Sequence, residues 1–172
     1  MKMDTDFYDT GGIMSIEKLV KDLKNGGGLT RAKAAAALGK LGDKGAIKPL
    51  IEALQDNNAG VRNNAAFALG ELEAKEAVPH LSVLLNDPEE WARKSAAKAL
   101  GMIGSREAVD RLVVALEDPS YIVRKNAVRS LGQIGGATAE KAIGRAVADS
   151  SQLVSKMALE ALEKIRSVRP QS

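Results

Sequence analysis

The chain is expected to fold as an all-α superhelix, a solenoid of five 31-residue helix pairs, and three observations lead there. Residues recur every 31 positions, and apolar residues inside each repeat fall three and four apart. The apolar content is also small-sided, with 27 Ala and 19 Leu among 172 residues but only 3% aromatic. Such a composition suits close-packed helices better than an aromatic-rich β-core.

The period is carried by Leu38, Leu69, Leu100, Leu131 and Leu162, each followed in the first four cases by glycine (Gly39, Gly70, Gly101, Gly132). Arginine repeats as Arg31, Arg62, Arg93 and Arg124, aspartate as Asp56, Asp87, Asp118 and Asp149, and alanine as Ala34, Ala65, Ala96, Ala127 and Ala158. Five copies in one register define a repeat architecture.

The copies run at about 13–43, 44–74, 75–105, 106–136 and 137–166. In the first, Gly26-Gly27-Gly28 joins two helices and lacks the Lys-Ser/Thr of a phosphate loop. The fourth shows the unit most clearly. Val109, Leu112, Val113 and Leu116 make one face of a short helix, and Asp118-Pro119 marks a break where aspartate can cap and proline can enter a helix. A second helix from about Tyr121 to Ile134 stops at Gly135-Gly136. One such hairpin cannot bury its apolar face alone, so the copies stack. In the third copy the stripe Arg93, Ala97, Gly101, Gly104 is nearly without bulk beyond the arginine, whereas the fifth reads Ser155, Leu159, Glu163, Arg166, as suits the end of a stack. Residues 1–12, with Asp4, Asp6 and Asp9 around Phe7 and Tyr8, form an acidic-aromatic tail expected to be disordered and of the right charge to dock on a basic face. Residues 167–172 make a C-terminal tail.

With no cysteine and one histidine, thiolate zinc sites, cysteine nucleophiles and multi-histidine metal sites are excluded, and no cofactor is expected. No apolar run approaches the roughly 20 residues of a membrane span, and no signal-peptide pattern opens the chain. A cytoplasmic protein is expected.

The segments Val61-Arg62-Asn63-Asn64-Ala65-Ala66-Phe67-Ala68-Leu69-Gly70 and Val123-Arg124-Lys125-Asn126-Ala127-Val128-Arg129-Ser130-Leu131-Gly132 resemble the HEAT-like repeat of the phycobilin-lyase type. Ala46-Ile47-Lys48-Pro49-Leu50, Ala77-Val78-Pro79-His80-Leu81 and Ala108-Val109-Asp110-Arg111-Leu112 match that family's first helix. The resemblance covers about Ser15 to Arg166 and implies a right-handed superhelix of HEAT-like helix pairs, its second helices lining a concave surface that usually binds protein. Deoxyhypusine hydroxylase is similar in fold but carries His-Glu pairs for two irons. The corresponding pairs here, Asn63-Asn64, Lys94-Ser95 and Lys125-Asn126, cannot coordinate iron.

The working surface is expected on the second helices. In the third copy Trp91, Lys94, Ser95, Lys98 and Met102 fall on one face left over from packing. Counterparts elsewhere are Leu29, Lys33, Ala36 and Lys40; Gly60, Asn63, Asn64, Phe67 and Glu71; Ile122, Lys125, Asn126, Arg129 and Gln133; and Leu153, Lys156, Met157, Glu160 and Lys164. Eight bases stand there against two acids on a chain whose net charge is +3, so the remaining residues together are acidic. The residues assigned to partner binding are Lys33, Lys40, Asn63, Asn64, Phe67, Trp91, Lys94, Lys98, Met102, Lys125, Asn126, Arg129, Lys156 and Met157. An acidic protein or peptide with apolar anchors suits this mixture, without catalysis. Alternatives are phosphate-backbone binding to nucleic acid, against which stand the low net charge and one arginine among the eight bases, and an accessory lyase subunit. The recurring Arg and Asp are read as structural pairs and His80 as an exposed first-helix residue.

Overall fold

The computed structural model describes residues 15–168, which form ten α-helices in five antiparallel pairs. The pairs are α1 (Ile16–Asn25) with α2 (Gly28–Leu41), α3 (Ile47–Ala53) with α4 (Ala59–Glu71), α5 (Val78–Leu84) with α6 (Glu90–Ile103), α7 (Val109–Val114) with α8 (Tyr121–Ile134), and α9 (Ala137–Ala146) with α10 (Gln152–Val168). No strand occurs among the described residues. The acidic-aromatic segment 1–12 lies outside them, and α10 runs two residues past the expected end of the repeats.

The core follows the 31-residue register. Leu50, Leu81, Leu112 and Ile143 from first helices meet Leu38, Leu69, Leu100 and Leu131 from second helices, all without exposure. Ala35, Ala66, Ala97 and Val128 are likewise fully buried, because each faces the next copy. Their counterpart in the fifth copy, Leu159, is 48% exposed, with no further copy among the described residues to cover it.

Second helices approach one another at backbone distance. A Cβ on Gly39 would fall 2.7 Å from the Ala68 Cβ, and one on Gly70 would fall 2.9 Å from the Ala99 Cα. Real side chains do not fit such gaps, so the bare backbone of glycine sets the spacing. Ser130, lying on Gly101, donates its hydroxyl to the Ala97 carbonyl at 2.8 Å. Consecutive second helices therefore lie close along their lengths, whereas consecutive first helices barely touch. A close layer paired with a splayed one bends the ribbon towards the close layer.

A ladder holds the copies together near the starts of the second helices, beside the turns that lead into them. Arg31, Arg62, Arg93 and Arg124 each grip the aspartate of the next copy, Asp56, Asp87, Asp118 and Asp149, with the guanidinium Nε 2.7–2.8 Å from Oδ2. A second nitrogen donates to Oδ1, making each pair bidentate. The remaining nitrogen of Arg62, Arg93 and Arg124 donates at 2.8 Å to the backbone carbonyl of the aspartate in its own copy. Aspartate Oδ1 also accepts the N–H of Asn58, Glu89, Ser120 or Ser151, two residues on. The expected helix cap at Asp118 is thereby corrected. Its carboxylate is committed to Arg93 and to the Ser120 amide, and Ser120 caps α8 by accepting from the Ile122 N–H, with Pro119 left in the turn.

The Arg31 hydrogen bonds hold the Asp56 carboxyl below its ordinary value of 3.8, and Arg124 does the same for Asp149, in both cases against the opposing effect of burial. At Asp87 burial acts to raise the pKa, but the Arg62 hydrogen bonds, the Glu89 amide and the charges of Arg62 and Arg93 outweigh it. A carboxyl whose native pKa is lowered stabilises the fold above its ordinary value, and that contribution disappears as pH falls through the native value. The thermal midpoint should therefore be level above about pH 5 and fall below about pH 4. Asp87→Asn should begin with a lower midpoint and lose less of it on acidification. An acid profile identical to that of the parent would remove Asp87 from the account.

Glycine stops three of the second helices at positive φ, Gly42 at 74°, Gly104 at 70° and Gly135 at 73°, but in the second copy Glu73 holds that place at 52°. A side chain there is strained. Glu73→Gly is expected to raise the unfolding free energy by about 1 kcal/mol, read by urea titration.

Candidate functional site

Residues 31 apart occupy the same position on neighbouring second helices, so the face of α2, α4, α6, α8 and α10 is crossed by rows. At the helix starts lies an apolar row, Leu29, Gly60, Trp91, Ile122 and Leu153, in which Trp91 is 57% exposed and Leu29 and Leu153 are exposed as well. One turn on comes Ala32, Asn63, Lys94, Lys125 and Lys156, then Ala36, Phe67, Lys98, Arg129 and Glu160, then Lys40, Glu71, Met102, Gln133 and Lys164. Bases gather in copies three to five, where Lys94, Lys98, Lys125, Arg129, Lys156 and Lys164 form one field. Lys33 and Lys40 are exposed on α2 but stand apart from it. Copy two contributes the half-buried Asn63 and Phe67.

Helices α4 and α6 share side chains across this face. The Lys98 ammonium sits 4.5 Å from the centre of the Phe67 ring on the preceding helix, and Lys94 sits 5.1 Å from the Trp91 ring on its own. Both contacts place a cation on an aromatic face. The lysine stems cover apolar surface while their charges remain outside, and Lys94, Lys98 and Met102 are half-buried.

The expectation that Ser95 and Asn126 belong to the open stripe is corrected, while Asn64 is half-buried with its amide engaged. Ser95 is 3% exposed and Asn126 8% exposed. Ser95 donates its hydroxyl to Asn63 Oδ1 at 2.7 Å, Asn63 donates to Asn64 Oδ1 at 2.9 Å, and Asn64 donates to the Ala32 carbonyl of α2 at 2.8 Å. Asn126 donates to the Ile122 carbonyl of its own helix at 2.7 Å. Adjacent residues on a helix point about 100° apart, so Lys94 looks out while Ser95 turns into the seam against α4. Ser95 and Asn64 thus tie neighbouring copies together, whereas Asn126 is satisfied within its own helix.

Met157, their counterpart on α10, is half-buried beside a cleft of about 440 Å³ between α8 and α10, lined also by Arg129, Gly132, Gln133, Glu160, Ala161 and Lys164. On the first-helix edge His80 is exposed, and the clefts beside Asp118 and Asp149 are lined by the ladder pairs, whose arginines are already occupied. Among the described residues, no three histidine or acidic side chains gather to hold a metal ion, and no helix is long and apolar enough to cross a membrane. The face presents cationic and apolar side chains side by side.

The HEAT repeats family matches residues 16–88, 47–121 and 109–172. Among solved structures, the chain is similar to the complex of CpcE and CpcF of phycocyanin lyase from Nostoc sp. PCC7120, at 25% identity and a TM-score of 0.82, covering 97% of this chain and 71% of that one. An engineered protein is 26% identical with a TM-score of 0.68, covering 88% and 79%. A designed armadillo repeat protein in complex with the peptide (KR)4 is 24% identical with a TM-score of 0.68, covering 90% and 87%, and shares the fold. No curated protein matches by sequence. The family matches together span nearly the whole chain, and with the five stacked helix pairs they place it among the HEAT-repeat proteins.

Proposed function

We propose that this protein is a non-catalytic scaffold that receives an acidic protein or peptide segment on the second-helix face of copies three to five. The observation that carries the reading is the apolar row Trp91, Ile122 and Leu153 lying one turn from Lys94, Lys125 and Lys156, with Lys98 and Arg129 beyond. An extended acidic segment crossing the ribbon would set apolar side chains against the first row and carboxylates against the second. Fixed helices hold both rows, which lowers the ordering cost of binding. A protein of this fold is known in complex with a peptide, and the bases here call for a partner of opposite sign to (KR)4.

A second reading, an accessory subunit of a lyase-type enzyme, is supported by the likeness to the CpcE and CpcF complex. Visible absorbance from a bound chromophore in the purified protein would favour it.

Trp91 is the only tryptophan of the chain, so its fluorescence reports directly on the face. Titration with an acidic, leucine-containing peptide should change that signal saturably. Trp91→Ala, followed by calorimetry, and Lys98→Glu should each weaken binding about tenfold or more while leaving the helical circular dichroism intact. Steeply salt-dependent binding to mixed nucleic acid, with no response to the peptide, would transfer the face to phosphate recognition. Loss of helical signal in either variant would assign that residue to the fold.

A further inference from the structure

The contact between second helices is not the same at every junction. At the first three, a side chain from the following copy lies over the helix glycine. Glu71 covers Gly39, Met102 covers Gly70 with its sulfur 3.2 Å from the position a Cβ would take, and Gln133 covers Gly101. At the fourth, only Ala161 comes near Gly132, its Cβ 3.2 Å away, and Lys164, which holds the covering position, stays clear. The helices α8 and α10 also lie less closely together than the pairs before them. The space left is the cleft of about 440 Å³.

Its walls differ in character from the rest of the seam. Where the three preceding copies place Asn64, Ser95 and Asn126, all engaged in hydrogen bonds, the last copy places the thioether of Met157. Gly132, Ala161 and Met157 make an apolar floor, and Arg129 and Lys164 stand at the rim. Among the described residues no ion pair engages either base, while the lining acid Glu160 faces Lys156 at 3.9 Å. Apolar depth below two uncommitted cations matches a side chain with an aliphatic body next to a carboxylate.

We propose that this cleft is an anchor site for an acidic peptide, seating a leucine-like side chain over Gly132 while Arg129 and Lys164 hold a neighbouring carboxylate. The inference rests on the reading of the second-helix face as a peptide-binding surface and adds to it a fixed end point at the fourth junction. Binding there is localised, so it should survive the loss of Trp91.

The test uses the full chain labelled with 13C at its methionine methyls and the blocked peptide Leu-Glu-Asp-Leu-Glu-Asp. The Met157 methyl resonance should move saturably on titration, and should still do so in Trp91→Ala. Lys164→Met places over Gly132 the residue that covers Gly70 in the third copy. Together with Arg129→Gln it should abolish the Met157 shift and weaken binding about tenfold, with unchanged circular dichroism. A Met157 methyl unmoved at peptide concentrations that saturate the Trp91 fluorescence would overturn the anchor site and leave the broader face standing. Silence of both probes would overturn both. Undiminished affinity in the double variant would likewise sink the anchor.

Discussion

Consecutive second helices touch where Gly39, Gly70 and Gly101 have no side chain, and the remainder of the molecule is arranged around that contact. With Ala68 and Ala99 resting almost on the facing backbone, the second-helix layer is shorter per copy than the first-helix layer, and the ribbon must bend. The Arg–Asp ladder works at the opposite end of the same second helices, beside the turns that lead into them. Each arginine ties its own turn to the next through a bidentate pair, so the contact between copies is held at both ends. Apolar burial supplies most of the stabilisation, while these directional contacts choose one stacking geometry among many.

Having settled packing with a few invariant positions, the repeat leaves others free. The rows beginning at Trp91, Lys94 and Lys98 change from copy to copy without disturbing the core, and that freedom is what a recognition surface needs. Cation–aromatic contacts at Phe67 and Trp91 limit the wandering of Lys98 and Lys94, so part of the charge on this face is held in place. In the fifth copy the packing rules relax altogether. Leu159 and Glu163 take places where bulk or charge is excluded earlier, and the same relaxation opens the space over Gly132.

Much of this was legible in the chain. Leu38 and its counterparts, the glycine after the first four, and the alternating three- and four-residue spacings identified helix pairs and their number. Pairing of arginine with aspartate was legible too, although recurrence alone could not say that Arg62 reaches Asp87 of the next copy instead of Asp56 in its own turn. Within the candidate face, the division between Lys94 and Ser95 or between Lys125 and Asn126 was not visible. Neighbouring positions on a helix lie about 100° apart, and the exact rotation of each helix is set by what it packs against. The cleft at the fourth junction left one faint trace, the methionine at 157 in a series otherwise polar.

Local chemistry by itself determined that helices form, where they break and that they stack, because spacing, capping residues and the absence of side chains at fixed positions act through near neighbours. Tertiary structure decided which polar residues are consumed in the seams, which lysines lie over rings, and where the last two helices part. Those outcomes depend on distances between residues some 30 positions apart, and such distances exist only once the copies are stacked.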